Sequence, residues 1–257
     1  MEGKRNMSGH SKWAKIKHAK GAADAKKGKI FSRLAKELMV LAKQGGGDPT
    51  MNASLRNVIQ KAKAVNMPND NIDRAIKKGT GEIGGAVYEE VSYEGYSGGG
   101  VGVIVKGLTD NKNRAAAEIR NIFKKNNTDF AALGAVSRGF ERKGQVVVEA
   151  AGQSEDKIME IVLNAGADDM VNEGESFVIS VSTQSFADVC DALQKAGIQP
   201  ISAEVGLFPL NTVSVKDVAV AKTVNKFIAA LEDYEDVQNV YNNMEIDDSI
   251  ASQVEEE

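Results

Sequence analysis

Residue types that support catalysis and cross-linking are scarce in this sequence. Its 257 residues include one cysteine and two histidines. Cys190 has no partner for a disulfide within the chain, which fits a reducing compartment. A tetrahedral zinc site would lack ligands, and a nucleophile–histidine–acid triad would have to use His10 or His18 from the Lys-rich start of the chain. We therefore expect a protein that is not an enzyme and that has neither a metal site nor a cofactor.

Long apolar runs and prolines are scarce as well. The sequence has no apolar run of about 18 residues, so it predicts no membrane span. Its basic start also lacks the apolar stretch of a secretion signal. An apolar content of 42% with four prolines excludes wholesale disorder. We expect a cytoplasmic globular protein of two or three domains, with no membrane partner.

Positive charge is concentrated at one end of the chain. Residues 1–78 contain eighteen of the 32 Lys and Arg and six of the 36 Asp and Glu, an excess of twelve positive charges. The remaining residues contain fourteen cations and thirty acids, an excess of sixteen negative charges. A dense basic segment attracts polyanions, of which nucleic acid is the commonest in the cytoplasm.

The basic segment has the periodicity of helices. Apolar residues recur every three or four positions from Lys26 to Lys43, and Gly45–Gly47 is expected to end this helix. A second helix is predicted from Asn52 to Val65, and a third from Pro68 to Gly79. Together they predict a basic helical domain over residues 1–84. The glycines at 79, 81 and 84 match a dinucleotide-binding pattern, but no strand precedes them, so we interpret residues 79–85 as a flexible linker.

We expect the basic domain to bind nucleic acid through lysines that contact phosphates. A tryptophan in the arm could stack on a base, although burial in the core is the alternative. A solvated helical surface is the alternative for the whole basic run. The candidate nucleic-acid-binding residues are His10, Lys12, Trp13, Lys15, Lys17, His18, Lys20, Lys26, Lys27, Lys29, Arg33, Lys36, Arg56, Lys61 and Lys63.

The rest of the chain predicts two α+β domains. After a ββα unit, the order βαββαβ from about residue 145 to 205 is that of a ferredoxin-like sandwich. A βαβ piece then follows Pro209. We therefore predict a discontinuous α+β domain, residues 85–133 and 208–247, with a second domain inserted at 134–207. Gly95–Gly100 is expected to be a mobile loop, and residues 248–257 a frayed acidic tail.

Two polar clusters in the α+β part have alternative interpretations. Lys112, Asn113 and Arg114 begin a predicted helix and could hold an anion there. Plain capping, with Arg114 in a surface ion pair, is the alternative. Glu90 and Glu94 share one side of a predicted strand, which we interpret as a solvated sheet face.

Five segments resemble the YebC/PmpR family: Met7–His18, Asn66–Ile72, Tyr88–Val91, Tyr93–Tyr96 and Leu108–Arg114. The resemblance covers residues 7–247, and residues 1–6 precede the family's usual start. It implies a helical N-terminal domain followed by two α+β domains, one inserted in the other. Most family members are described as cytoplasmic DNA-binding transcriptional regulators. Others, including a mitochondrial activator of cytochrome c oxidase subunit I synthesis, act in translation on the ribosome.

Two functional hypotheses follow. The first is a DNA-binding transcriptional regulator, whose partners are DNA and the transcription machinery. The second is an RNA-binding translation factor or activator, whose partners are ribosomal RNA and the ribosome. No helix-turn-helix signature is evident, and lysine favours phosphate contact over bidentate base reading. These features favour RNA, whereas the resemblance favours DNA.

The arm lysines provide a direct test of nucleic-acid binding. Replacing Lys12, Lys15, Lys17 and Lys20 with Ala should weaken binding and flatten its dependence on salt, because each lost phosphate contact removes about one counterion from the exchange. Titrations at several salt concentrations measure both quantities. An unchanged salt slope would show that the arm is not the contact.

Overall fold

The computed structural model describes residues 23–247 and 249–255. In chain order, its elements are α1 (Ala23–Gly45), α2 (Ala53–Ala64), α3 (Asn69–Thr80), β1 (Glu89–Ser97), β2 (Val101–Thr109), α4 (Lys112–Lys125), β3 (Asp129–Ala131), β4 (Phe140–Glu149), α5 (Glu155–Asn164), β5 (Ala167–Asn172), β6 (Ser176–Val181), α6 (Phe186–Lys195), β7 (Ser202–Pro209), β8 (Val213–Val215), α7 (Val218–Asp233), β9 (Val237–Asn242), β10 (Met244–Ile246) and α8 (Ala251–Glu255). The predicted α+β class is confirmed.

The basic segment folds into the predicted helices α1, α2 and α3. Their apolar faces share a core that includes Leu38, Leu55 and Ile72. α2 begins where expected because the Asn52 side-chain oxygen accepts a hydrogen bond from the Leu55 amide at 3.0 Å.

The predicted end of the third helix is wrong. α3 continues through Gly79 to Thr80 and ends at Gly81, whose φ of 82° is left-handed. Gly79 is instead a point of close helix approach. A Cβ atom there would lie 2.3 Å from the Met39 carbonyl oxygen and 2.9 Å from the Ala42 Cβ. Glycine therefore lets α3 pack directly on the backbone of α1.

The ββα unit forms a sheet with strand order β3-β1-β2-β9. β1 pairs antiparallel with β2 from Glu89 opposite Thr109 to Ser97 opposite Val101. Phe123 of α4 meets Phe227 of α7 edge to face, with ring centroids 4.8 Å apart. The late segment α7–β9 thus returns to the early ββα unit.

The expectation of a mobile loop at Gly95–Gly100 is wrong for its first half. β1 runs through Gly95 to Ser97, and only Gly98–Gly100 form a tight turn. A Cβ atom on Gly95 would lie 2.2 Å from the Phe123 ring. Glycine is therefore required here for packing. The prediction of a solvated sheet face is right for Glu90, which is exposed, and wrong for Glu94. Glu94 is 1% exposed and its Oε1 accepts a hydrogen bond from the Gly134 amide at 3.0 Å.

The predicted βαββαβ run is confirmed over β4–β7. Its sheet has the order β5-β6-β4-β7, with every pairing antiparallel, as in a ferredoxin-like sandwich. α5 and α6 cover one core, which contains Ile158, Val162, Val189 and Leu193.

The end of the chain differs from the prediction. β8 does not join the early sheet but pairs in parallel with β10, from Val213 opposite Met244 to Val215 opposite Ile246. Part of the predicted tail is helical as α8, which follows the buried Ile250. This helix shows that composition alone does not define a frayed terminus.

The described residues group into two compact units. The first contains residues 23–135 and 222–240, and the second contains residues 136–221 and 241–255. The four predicted domain boundaries stay predictions. No helix in the described ranges is long and apolar enough to cross a bilayer.

Two helix-interior glycines give opposite expectations for substitution by alanine. Gly79→Ala should destabilise the protein by about 1–3 kcal/mol because its methyl group overlaps the α1 backbone. Gly28→Ala should stabilise it by about 0.4–1 kcal/mol, since nothing lies within 4 Å of its Cβ position. Denaturant unfolding measures both changes. Equal effects would contradict the close approach of α3 and α1.

Candidate nucleic-acid interface

The predicted nucleic-acid-binding residues divide into an arm and a set on the helices. The arm residues His10, Lys12, Trp13, Lys15, Lys17, His18 and Lys20 lie outside the described residues. Lys26 lies in the first turn of α1. The remaining candidates are on α1 and α2, where their surroundings can be examined.

Lys29, Arg33 and Lys36 lie on one face of α1, as their spacing of four and three residues predicts. This face meets residues 232–236, the sequence Glu-Asp-Tyr-Glu-Asp, which we call the acidic corner. The corner contains the last two residues of α7 and the three residues between α7 and β9. Lys29 forms an ion pair with Asp233, and Arg33 donates a hydrogen bond to the Glu232 carbonyl oxygen. The cationic stripe is therefore occupied by groups of the same chain.

Lys36 makes the most buried of these contacts. Its Nζ donates to Asp236 Oδ1 at 2.7 Å and to the Glu235 carbonyl oxygen at 3.0 Å. It also lies 5.3 Å from the centre of the Tyr88 ring, within range of a cation–π interaction. The side chains of Lys36 and Asp236 are 11% and 2% exposed. In this arrangement the ammonium group of Lys36 is buried and bound within the chain, so phosphate cannot reach it.

Asp236 collects hydrogen bonds from several elements. Besides Lys36, its Oδ2 accepts from Thr109 Oγ1 at 2.9 Å, Arg114 Nη2 at 3.0 Å and the Tyr234 hydroxyl at 3.2 Å. Its backbone oxygen accepts from the Leu108 amide at 2.8 Å. We call these side chains the Asp236 cluster: Lys36, Thr109, Arg114, Tyr234 and Asp236. The sequence analysis missed Thr109, Tyr234 and Asp236, although an acidic run complementary to a basic stripe was a usable signal.

Protonation in this cluster is set by burial and by hydrogen bonds. Burial by itself would raise the pKa of Asp236, but hydrogen bonds from Lys36, Arg114 and Thr109 outweigh it and hold the pKa below the ordinary Asp value. The hydrogen bond from Arg114 to Asp236 raises the pKa of the guanidinium group. Burial raises the pKa of the Tyr234 hydroxyl. The cluster is therefore a charged carboxylate held by two cations and two hydroxyls.

The start of α4 has a capping residue and two ion pairs. Asn111 Oδ1 accepts a hydrogen bond from the Arg114 amide at 3.0 Å and so caps the helix. Arg114 Nη2 also donates to Asp110 at 2.7 Å, and Lys112 pairs with Glu89. Carboxylates engage both cations, as the capping alternative expects, and the phosphate site at Lys112, Asn113 and Arg114 stays a prediction.

Several other candidates remain on the surface. Lys27, Lys61 and Lys63 are exposed. Arg56 donates to the Pro49 carbonyl oxygen at 2.9 Å, so it also braces the turn between α1 and α2. Lys63 and Lys77, the latter absent from the sequence prediction, line a groove of about 740 Å³ between α2 and α3. Within the described ranges, no group of three or more potential metal-ligating side chains occurs.

Comparison with known proteins gives consistent matches along nearly the whole chain. Residues 11–82 match the family model described as TACO1/YebC protein N-terminal domain, and residues 88–244 match TACO1/YebC second and third domain. A protein of Desulfotalea psychrophila is 49% identical over 97% of this chain and all of its own length. One of Brachyspira hyodysenteriae is 52% identical over 96% of this chain and all of its own length. Both are named probable transcriptional regulatory protein.

A solved structure shows the same fold. The crystal structure of a conserved hypothetical protein from Aquifex aeolicus superposes with a TM-score of 0.82 at 42% sequence identity. The match covers 93% of this chain and 99% of the other.

Removal of the Asp236 carboxylate should lower the free energy of unfolding. Asp236→Asn should destabilise the protein by about 3–5 kcal/mol, because it leaves a buried lysine without its counter-charge. Asp233→Asn is the matched control, and it should cost less than about 1 kcal/mol because its ion pair is exposed. Urea unfolding at neutral pH measures both changes.

The lowered pKa of Asp236 also predicts a pH dependence. Its stabilising contribution is complete above the unfolded-state value of about 3.9 and is lost as the pH falls through the lower folded-state pKa. Stability of the wild-type protein should therefore fall more steeply with acid than that of Asp236→Asn. Parallel acid profiles, or equal losses from the two substitutions, would contradict the role of the cluster.

Proposed function

The chain belongs to the TACO1/YebC family, and from that premise we propose that it is a non-enzymatic, nucleic-acid-binding regulator of gene expression in the cytoplasm. Its finer assignment is a DNA-binding regulator of transcription. The observation that carries the proposal is the concentration of positive charge in residues 1–78, which contain eighteen cations and six acids. Such a segment binds polyanions by releasing counterions from phosphates.

The described helices supply part of this surface. Lys27 on α1 and Lys63 on α2 are exposed, and neither has an ion pair within the described ranges. Their charges are available to phosphates without rearrangement of the helical domain. The names of the relatives, probable transcriptional regulatory protein, support a regulatory role.

The scarcity of histidine and cysteine supports a role other than catalysis. The chain has two histidines, and its single cysteine is half-buried. Burial raises the pKa of the Cys190 thiol, which disfavours the reactive thiolate. We therefore assign the acidic α+β part to contacts with other macromolecules.

Translation on the ribosome is the second candidate function. It is favoured by the type of basic side chain exposed on α1 and α2, where Lys27 and Lys63 face solvent. Arg56, the arginine predicted to contact nucleic acid from α2, directs its guanidinium group to backbone carbonyls at Pro49 and Thr50. Reading guanine in a major groove uses a free arginine fork, whereas Lys27 and Lys63 supply point charges that suit recognition of phosphate and shape.

A lysine pair on the helices tests the proposal. The double substitution Lys27→Ala and Lys63→Ala should weaken binding to nucleic acid and reduce the salt slope by about two, since about one counterion is released for each phosphate contact. The matched control is Lys157→Ala with Lys195→Ala, two exposed lysines of the second unit, which should change neither quantity. Anisotropy titrations of the full chain with a mixed-sequence DNA duplex and with a ribosomal-RNA fragment provide the data. Equal effects of the two pairs would contradict this interface.

The same titrations, with sedimentation of ribosomes, separate the two candidate functions. Preference for particular DNA duplexes supports the transcriptional role. Exclusive migration with ribosomes, without preference among DNA sequences, supports the translational role and overturns the first assignment. Absence of binding to both probes overturns the proposed function as a whole.

A further inference from the structure

The cationic stripe of α1 is covered by an acidic segment of the same protein. Lys29, Arg33 and Lys36 were all predicted to bind nucleic acid, and each is engaged by the acidic corner, residues 232–236. The groups that engage them are two carboxylates and backbone carbonyl oxygens. Phosphate oxygens offer lysine and arginine the same chemistry, a negatively charged or strongly polar acceptor. The corner therefore presents to these cations acceptors of the kind that a phosphate backbone offers.

Ion pairs and hydrogen bonds join α1 to the corner, and the space beside them is not filled. A cavity of about 580 Å³ lies beside it, lined by residues of the stripe together with Tyr88, Asp233 and Glu235. The outermost pair is open to solvent, since the side chains of Lys29 and Asp233 are 50% and 75% exposed. Exposed ion pairs contribute little to stability. Breaking the Lys29–Asp233 pair would thus cost little free energy.

The acidic corner keeps its other hydrogen bonds when α1 separates from it. Asp236 would lose Lys36 but retain Thr109, Arg114 and Tyr234 as donors. The backbone bond from the Leu108 amide to the Asp236 carbonyl is also independent of α1. The carboxylate therefore remains paired in the separated state, and the released Lys36 can meet water or a phosphate.

We propose that the acidic corner is an autoinhibitory segment that competes with nucleic acid for Lys29, Arg33 and Lys36. In the closed arrangement described by the structure, these cations are bound within the chain. A phosphate backbone gains them by displacing the corner, so nucleic-acid affinity is reduced by the free energy of this internal contact. The inference rests on the proposed function, because it concerns regulation of the same binding activity.

Substitution of Asp233, in the exposed Lys29–Asp233 pair, tests the proposed competition. Asp233→Asn removes the partner of Lys29 without touching the buried Asp236 cluster. It should raise the affinity of the full chain for a mixed-sequence DNA duplex and for a ribosomal-RNA fragment by up to about fivefold, the effect expected of one exposed ion pair. It should also steepen the salt slope by about one, since Lys29 then joins the phosphate contacts.

Glu235→Gln is the matched control for the change in overall charge. Glu235 lies in the same corner and is exposed, and its carboxylate has no ion pair within the described ranges. It should raise affinity by less than Asp233→Asn and should leave the salt slope unchanged. Equal gains in affinity and slope would mean that Asp233 acts only through general repulsion of the nucleic acid, which overturns the proposal.

A double-mutant cycle tests the competition for Lys29 itself. Lys29→Ala should have little effect in the wild-type background, where Asp233 holds the lysine, and should abolish the gain in the Asp233→Asn background. A full loss of binding energy on Lys29→Ala in the wild type would show that the stripe is already open and would overturn autoinhibition. If the wild type binds nucleic acid but the effects of Lys29→Ala and Asp233→Asn are additive, autoinhibition is refuted and the proposed function is not. Absence of binding by every variant refutes the proposed function as well.

Discussion

The buried carboxylate of Asp236 is the constraint on which the first unit depends. Its side chain is 2% exposed, and an ionised carboxylate removed from water is tolerated only when donors surround it. Lys36 of α1, Thr109 at the end of β2, Arg114 of α4 and the neighbouring Tyr234 supply those donors. Because these donors come from distant parts of the chain, Asp236 holds α1, β2 and α4 together in the closed arrangement. Replacing the pair by apolar residues could be neutral for stability, so its main contribution is specificity of arrangement.

This constraint changes the meaning of the charge asymmetry. A count of cations treats every lysine in residues 1–78 as available, but three cations of the α1 stripe are bound within the chain. The surface offered to a polyanion is therefore smaller than the sequence suggests, and on the described helices it consists mainly of lysines such as Lys27 and Lys63. A lysine ammonium group meets phosphate as a point charge and does not discriminate among bases. The structure thus separates cations that organise the protein from cations that face outward.

Local patterns predicted the elements well, and long-range contacts account for the failures. Helical periodicity placed α2 within a residue at each end, and element order identified the ferredoxin-like sheet. Gly79 was interpreted as a helix end, since its role is a contact with Met39 that no local signal reveals. Glu94 was expected to face solvent because the strand pattern does not show that its carboxylate is buried beside Gly134. The stripe on α1 followed from spacing, but its partner Asp236 lies 200 residues away from Lys36.

Salt distinguishes the internal contact from a contact with nucleic acid. Phosphate binding is driven by counterion release, so its free energy weakens steeply as salt increases. The Lys36–Asp236 pair is buried, and buried pairs are screened far less than exposed ones. Added salt should therefore release phosphates from α1 before it releases the acidic corner. If the corner competes with nucleic acid as proposed, the closed arrangement should be favoured at high ionic strength, and the competition should be strongest at low ionic strength.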